Sequence, residues 1–177
     1  MWSKVVVVAA LLSWQDASRA VAPAQFDSSY TRLGEACSEE PGSTAGEGQD
    51  PLLRCAGPGG YWLHLSFSAA DATLNVGKAA APDSQLLEGS IPGIDTENGV
   101  VEWRLSDGQP VALIVRSTPL EFDDQGMLRT GQQQTLEIRG LGVLEGFSDS
   151  IDVRATAEAN AEARARVETA YHQRIKH

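Results

Sequence analysis

The chain has little cysteine, little histidine and fewer basic than acidic residues. Two cysteines, three histidines, 14 Lys or Arg and 24 Asp or Glu give it a formal net charge of −10 at pH 7. Such an acidic surface repels phosphate backbones and anionic lipid headgroups, and no stripe of basic and aromatic residues offsets it. The cysteines and scattered histidines also lack the spacing of a zinc site. We therefore expect no nucleic-acid partner, no metal and no cofactor.

The sequence also lacks the motifs that mark common catalytic sites. No Gly-x-Ser-x-Gly occurs, and the turn cluster Gly57–Gly60 precedes a predicted strand rather than the helix of a phosphate-binding loop. His64 is the one histidine inside the predicted fold, and we expect it on an exposed strand face. Residues 95–99 and 121–126 faintly resemble calcium loops, but neither has the bidentate Glu at loop position twelve. We predict no catalytic residue; a small hydrolase that uses two of the many carboxylates is the alternative.

Long apolar runs are scarce as well, with one exception at the start of the chain. Lys4 precedes the apolar run Val5–Leu12, and a polar stretch then ends in the small-x-small pattern Ala20–Ala22. This arrangement is typical of a secretory signal peptide over residues 1–22, and the run is too short for a permanent membrane span. The cysteine of a lipoprotein and the paired arginines of a twin-arginine signal are both missing. We predict a protein that is periplasmic or secreted, with no membrane span after cleavage.

Cys37 and Cys55 are predicted to form a disulfide, because an even cysteine count in an oxidising compartment usually means a bridge. The intervening residues 38–54 are rich in Gly, Pro and acidic residues and have little to bury. Closing a loop of this size stabilises a fold by roughly 3 kcal/mol in the chain-entropy model. A redox pair is the alternative, but catalytic dithiols generally sit close together, as in Cys-x-x-Cys. The bridge defines an N-terminal segment, residues 23–56, which opens with a short leader, ahead of a single domain at residues 57–177.

Alternation of apolar and polar residues marks the strands. Tyr61–Ser68 alternates cleanly, and Ala72–Val76 continues the pattern as a hairpin partner. Residues 77–99 are irregular, with a helical turn or short strand around Gln85–Ile94 that the pattern does not place. The other predicted strands are Gln134–Arg139, with Leu136 and Ile138 inward, and short ones at Val143–Leu144 and Ile151–Val153.

The strongest turn signal is Asp107-Gly108, in the middle of the apolar stretch from Val100 to Arg116. Asp-Gly suits a type I′ turn, whose two central residues need positive φ. With that turn, Trp103 is expected opposite Ala112, and Ala112 and Ile114 share the core face with Trp103. The return strand is apolar on both faces, which predicts a central strand covered on both sides, with a helix as one cover.

A final helix is predicted over about residues 156–175, which contain many Ala, Glu and Arg and no Gly or Pro. Thr156 is the expected N-cap, and basic residues near the far end suit the helix dipole. The small residues of its apolar stripe favour a helix that lies close on the sheet; a dimerisation helix is the alternative. The stripe consists of Ala159, Ala163, Val167, Ala170 and Tyr171.

Glu102 and Arg104 are the candidate binding residues, together with Arg116 at the end of the return strand. Glu102 and Arg104 lie two apart on the hairpin face that we expect a helix to cover, so they must form ion pairs or hydrogen bonds. One interpretation is a structural salt bridge that involves an Arg or Glu of the C-terminal helix. The other is a charged pocket between sheet and helix.

Three stretches together resemble a known group of proteins. They are Cys37…Cys55-x-Gly-x-Gly-Gly-Tyr61, the strand pair Val-Glu102-Trp103-Arg104-Leu and Pro110-Val-Ala112-x-Ile114-x-Arg116, and the Ala-rich closing helix. Over about Tyr30–Tyr171 the chain is similar to an uncharacterised family of small exported proteins of alphaproteobacterial type. The resemblance implies an exported protein and carries no particular activity.

These patterns predict an α+β fold. We expect a mainly antiparallel, twisted sheet of five to seven strands, one long C-terminal helix packed on it, and one disulfide. The predicted function is non-enzymatic binding of a protein or small ligand in the cell envelope, as an inhibitor or accessory module. The alternatives are the small secreted hydrolase and a self-associating structural envelope protein, and the oligomeric state stays open.

Overall fold

The computed structural model describes residues 24–40, 51–68, 71–78, 87, 89–129 and 133–176. The predicted signal peptide, residues 1–22, lies outside the described residues. So do the middle of the disulfide loop and residues 79–86 and 88 of the irregular stretch, whereas Ile91, within Gln85–Ile94, forms an isolated antiparallel bridge with Leu74.

The described strands form two antiparallel sheets, and one long helix packs on the larger of them. The first sheet has five strands in the order β1-β6-β7-β8-β9, and the second has four in the order β2-β3-β4-β5. The α+β class is confirmed, with the strands divided between two sheets rather than gathered in one. The elements are β1 Phe26–Arg32, α1 Leu33–Ala36, β2 Cys37–Glu39, β3 Leu53–Ala56, β4 Trp62–Phe67, β5 Ala72–Gly77, β6 Val100–Ser106, β7 Gln109–Ser117, β8 Thr135–Gly140, β9 Ser148–Asp152 and α2 Ala159–Arg174, with short 3₁₀ turns at Pro58–Gly60 and Gly142–Leu144.

The segment expected to be a leader is a strand. β1 pairs along its full length with β6 at one edge of the five-stranded sheet. The polar composition of β1 does not predict a strand. Its polar side chains can lie in the sheet because they form hydrogen bonds with side chains of β6. The buried Thr31 hydroxyl, for example, accepts a hydrogen bond from the indole nitrogen of Trp103 at 2.9 Å.

The predicted disulfide is present. Cys37 and Cys55 are bonded and stand directly opposite each other on β2 and β3. Cys55 is fully buried among the core side chains between the two sheets. The bridge therefore ties β2 to the buried Cys55 within the N-terminal segment.

The Asp107-Gly108 turn is confirmed, but the predicted register of its hairpin is wrong. Both turn residues have positive φ, 49° and 77°. The predicted pairing holds only next to the turn, because a β-bulge between Arg104 and Leu105 shifts the register and leaves Val111 without a partner on β6.

The bulge follows from Pro110, which has no N–H to continue the ladder. Beyond it, Trp103 stands opposite Leu113, and Arg104 takes the place expected for Trp103 opposite Ala112. A one-residue shift exchanges the two faces of a strand. Ala112 and Ile114 therefore face α2, while Leu113 and Val115 join the core between the sheets.

β7 is the central strand and is covered on both faces, as its composition predicts. Between the two sheets lies a core built around Trp103 and strand residues such as Leu63 and Leu113. A second core lies between the five-stranded sheet and α2. It contains the predicted apolar stripe of the helix: Ala159, Ala163 and Val167 are buried, and Ala170 and Tyr171 pack against them.

Three local predictions need correction. α2 begins at Ala159, with Glu158 rather than Thr156 as its N-cap. The predicted strand at Val143–Leu144 is part of a 3₁₀ turn. His64 is buried rather than exposed, with its Nδ1 3.8 Å from Glu40 Oε2.

None of the helices in the described ranges has the length and apolar character needed to cross a membrane.

Candidate functional site

Glu102 sits beneath α2 at the centre of a hydrogen-bonded cluster. Arg164 Nε donates to its Oε1 at 2.7 Å, and Arg164 Nη2 donates to its Oε2 at 3.0 Å. Ser28 Oγ of β1 donates to the same Oε1 at 2.6 Å. Glu102 is only 6% exposed, so these charge-assisted bonds replace the water that it loses on burial. The bond to Glu102 raises the pKa of Arg164 above its ordinary value.

Arg104 is held in the same way one helical turn along α2. Its Nη2 donates to Glu168, its Nη1 donates to Ser28 Oγ at 3.0 Å, and its guanidinium lies 5.5 Å from the centre of the Phe26 ring. Glu102 and Arg104 thus each pair with α2. The spacing explains the match, because two residues span about 6.8 Å along a strand and four span about 6 Å along a helix.

Replacing Glu102 with Gln is expected to lower the free energy of unfolding by about 1–3 kcal/mol. The amide places an N–H group beside the Arg164 donors and removes the buried charge that they neutralise. Urea denaturation of Glu102→Gln beside Glu35→Gln, the same change at an exposed position of α1, measures this cost. Equal stabilities of the two variants would show that the cluster under the helix contributes nothing to folding.

Beside this cluster, a groove of about 420 Å³ opens at the end of the five-stranded sheet where α2 begins. Buried Ile114 and Leu136 lie in its lining, and the partly exposed Tyr30 and Val100 contribute apolar surface. The polar and charged residues that line it are Asp95, Asn98, Glu102, Arg116, Thr118, Gln134, Asn160 and Arg164.

The groove therefore contains two of the three predicted binding residues. Glu102 and Arg116 both line it, whereas Arg104 does not. Arg116 is exposed, and its Nη1 donates to the side-chain oxygen of Gln134 at 2.6 Å. Within the described part of the chain, Arg116 has no carboxylate partner. The groove thus contains both the ion pair of Glu102 with Arg164 and the exposed guanidinium of Arg116.

Sequence reasoning missed most of the other groove residues. Arg164 of the groove and Glu168, which lies outside it, are spaced i, i+4 on the predicted helix, and that spacing is the signal that could have matched them to Glu102 and Arg104. Tyr30 and Asn160 carry no such signal, because their positions at the groove depend on how β1 and α2 meet the sheet.

The carboxylates in the groove are engaged in structural bonds. Asp95 Oδ1 accepts the backbone N–H groups of Asn98 and Glu97 at 2.8 Å and 3.0 Å, within its own turn. The hydrogen bond from the Asn98 backbone is the main reason that the pKa of Asp95 lies below its ordinary value. Glu102 accepts from Arg164 and Ser28. Both carboxylates of the groove are therefore hydrogen-bonded to other groups of the fold.

The two segments that faintly resemble calcium loops form ordinary turns. Asp123 Oδ1 accepts backbone N–H groups from Gln125 and Met127, as Asp95 does in its own turn. No group of three or more His, Cys, Asp or Glu side chains is placed to hold a metal ion within the ranges that the structure describes.

Comparisons with other proteins add no family assignment. The chain matches no protein-family model, and neither the curated proteins nor the solved structures provide a match. The similarity to small exported proteins therefore stays an expectation.

Proposed function

We propose that this chain is an exported, non-enzymatic binding module of the cell envelope whose groove takes a ligand with a carboxylate and an apolar part. The disulfide suits an oxidising compartment, and the pattern of residues 1–22 suits export. An accessory or inhibitory role follows from binding without catalysis. The residue that receives the carboxylate is Arg116.

A contrast among the arginines carries the proposal. Arg104, Arg164 and Arg166 each pair with carboxylates of the fold. Arg116 meets only an amide oxygen in the described residues, and it lies in the groove. A guanidinium in this position has donors left for a bidentate carboxylate contact.

The rest of the groove suggests what accompanies the carboxylate. Tyr30 and Val100 offer exposed apolar surface in the groove, and Ile114 and Leu136 lie buried in its lining. Thr118, Asn98 and Asn160 offer hydrogen-bonding groups at its walls. The groove volume of about 420 Å³ falls in the range of small-ligand sites, and polar or charged residues make up most of its lining. An amphipathic monocarboxylate fits this arrangement better than a polyanion, because Asp95 and Glu102 also line the groove.

Titration calorimetry with hexanoate and benzoate, beside hexanamide and benzamide, tests the proposal. We expect the acids to bind and the uncharged amides not to, because only a carboxylate completes the contact with Arg116. Arg116→Gln should weaken binding of the acids by about tenfold or more. Lys176→Gln removes the same charge at the exposed far end of the chain and should leave binding unchanged.

Equal binding of acids and amides, or equal binding by wild type and Arg116→Gln, would contradict the role of Arg116. No binding of either acid would contradict the proposed ligand class. Circular dichroism and urea denaturation of each variant separate a lost contact from a lost fold.

A further inference from the structure

The connection between β7 and β8 forms a short protruding hairpin, residues 119–129, which we call the tip hairpin. Phe122 and Leu128 pair across it as an antiparallel bridge. Backbone hydrogen bonds join Asp123 N to Met127 O at 2.9 Å and Arg129 N to Glu121 O at 2.8 Å, on either side of that bridge.

The turn of the tip hairpin is held in a defined conformation. Asp123 Oδ1 accepts the backbone N–H groups of Gln125 and Met127 at 2.9 Å and 2.8 Å. Gly126 has φ of 75° and donates to Asp123 O, which closes a type I turn with a left-handed glycine. Binding through this turn would therefore lose little conformational entropy.

The tip hairpin exposes an unusual concentration of apolar side chains. Phe122, Met127 and Leu128 are 56%, 65% and 52% exposed, and they make up three of the seven exposed large hydrophobic side chains in the described residues. Single exposed apolar residues are normal, but a cluster on an ordered turn marks an interaction site. Of the three carboxylates of the hairpin, Glu121, Asp123 and Asp124, Asp123 closes the turn and Asp124 is exposed beside it.

The tip hairpin and the Arg116 groove lie at the same end of the five-stranded sheet. Thr118, just after β7, and Gln134, just before β8, both line the groove. The tip hairpin belongs to the connection between these two residues. None of the described residues of the hairpin lines the groove of its own chain. Hairpin and groove are therefore neighbours, and the exposed carboxylate of Asp124 on the hairpin is opposite in charge to the exposed guanidinium of Arg116 in the groove.

We propose that the tip hairpin of one copy docks in the Arg116 groove of a second copy, and that the reciprocal contact closes a two-fold dimer. Asp124, exposed at the turn, pairs with Arg116, and the apolar side chains of the hairpin cover Tyr30 and Val100. This inference rests on the proposed function, because it assigns the carboxylate received by Arg116 to a hairpin of the same protein.

Two-fold symmetry follows from the placement of the two features. An isologous interface requires one patch to contain both a protruding and a receiving part, and the end of this sheet has both. Two copies that face each other at this end exchange hairpins in both directions. The contact buries the apolar side chains of two hairpins and neutralises two guanidiniums. Because Asp124 and Arg116 are both exposed, we expect the affinity of the dimer to fall markedly as the salt concentration rises.

Sedimentation velocity from micromolar to millimolar concentration tests the dimer. Wild type should show a concentration-dependent dimer that high salt weakens. Arg116→Glu and Asp124→Lys should each weaken association by about tenfold or more, because each creates a repulsion at both contacts. Lys176→Glu makes the same charge change at the opposite end of α2 and should leave the dimer intact.

The decisive sample is an equal mixture of Arg116→Glu and Asp124→Lys. In the mixed dimer one contact is native and the other carries exchanged charges, so association should return although each variant alone is monomeric. A wild type that stays monomeric throughout overturns the inference. So do variants that associate like wild type, or a mixture that stays monomeric.

Hexanoate binding to the Asp124→Lys variant separates this inference from the proposed function. That variant keeps the groove and Arg116. Binding of hexanoate without any dimer of wild type means that the groove takes carboxylates and the hairpin is not their source. A dimer with the predicted charge-exchange behaviour but no hexanoate binding restricts the groove to the hairpin of a second copy.

Discussion

Trp103→Ala should lower the free energy of unfolding by about 3–5 kcal/mol, the largest expected effect of a single substitution in this chain. The side chain is 0% exposed and lies in the core between the two sheets. Its indole nitrogen donates to buried Thr31, and a Cβ on Gly57 would come within 2.4 Å of its ring. Such tight surroundings leave a large cavity when the ring is removed.

Urea denaturation followed by far-ultraviolet circular dichroism measures the loss, since the substitution itself removes one of the four tryptophans and so changes the fluorescence. Trp103→Phe should cost less than Trp103→Ala, because it keeps most of the volume but removes the donor to Thr31. Trp62→Ala is the matched control, because Trp62 is only partly buried and packs beside Arg54. If Trp103→Ala costs no more than Trp62→Ala, the two sheets do not pack around Trp103 as described.

Removing the disulfide in a Cys37→Ala/Cys55→Ala variant should cost about 3 kcal/mol, the second large effect. The bridge closes a loop with a sequence separation of 18, and β2 and β3 pair over only three residues each. So short a ladder adds little pairing energy of its own, and the bond limits the freedom of the unfolded chain instead.

The reduced wild type is the control for packing, because it keeps both sulfur atoms while the covalent link is lost. It should denature at nearly the same urea concentration as the alanine variant, and both should denature well below the oxidised protein. Identical midpoints for oxidised and reduced wild type would show that the bridge does not stabilise the fold. Because the groove lies on the other sheet, hexanoate binding should survive in the variant under conditions where it remains folded.

Local patterns were sufficient for much of this architecture. The alternation at Tyr61–Ser68 and the Asp107-Gly108 turn predicted real hairpins, because period and turn chemistry depend on neighbouring residues only. The stripe from Ala159 to Tyr171 identified the helix face that packs on the sheet. The pairing of Cys37 with Cys55 needed only their number and the expected compartment. Glu102 and Arg104 are charged residues on a strand face that a helix was expected to cover. Their charges therefore indicated ion pairs with an Arg or Glu of that helix, and such pairs are present.

The hairpin faces show where local reasoning stops. A bulge at Val111 adds a single residue, yet it moves Ala112 and Ile114 from one core to the other. β1 escaped prediction because its polar residues are satisfied by side chains on β6, more than seventy residues away in the chain. His64 likewise sits on the polar face of its strand but is buried near Glu40, a contact that no alternation pattern contains.

By itself, the sequence determined the α+β class, the disulfide, the Asp-Gly hairpin and the helix with its buried stripe. These depend on spacing along the chain, which is visible in a list of residues. The tertiary structure alone decided the division into two sheets, the register beyond the bulge, and the contrast between ion-paired Glu102 and exposed Arg116, which share one groove. The reason is physical: these features are set by which distant backbone segments approach each other, and a charge becomes a structural partner or a ligand contact only when its neighbours are in place.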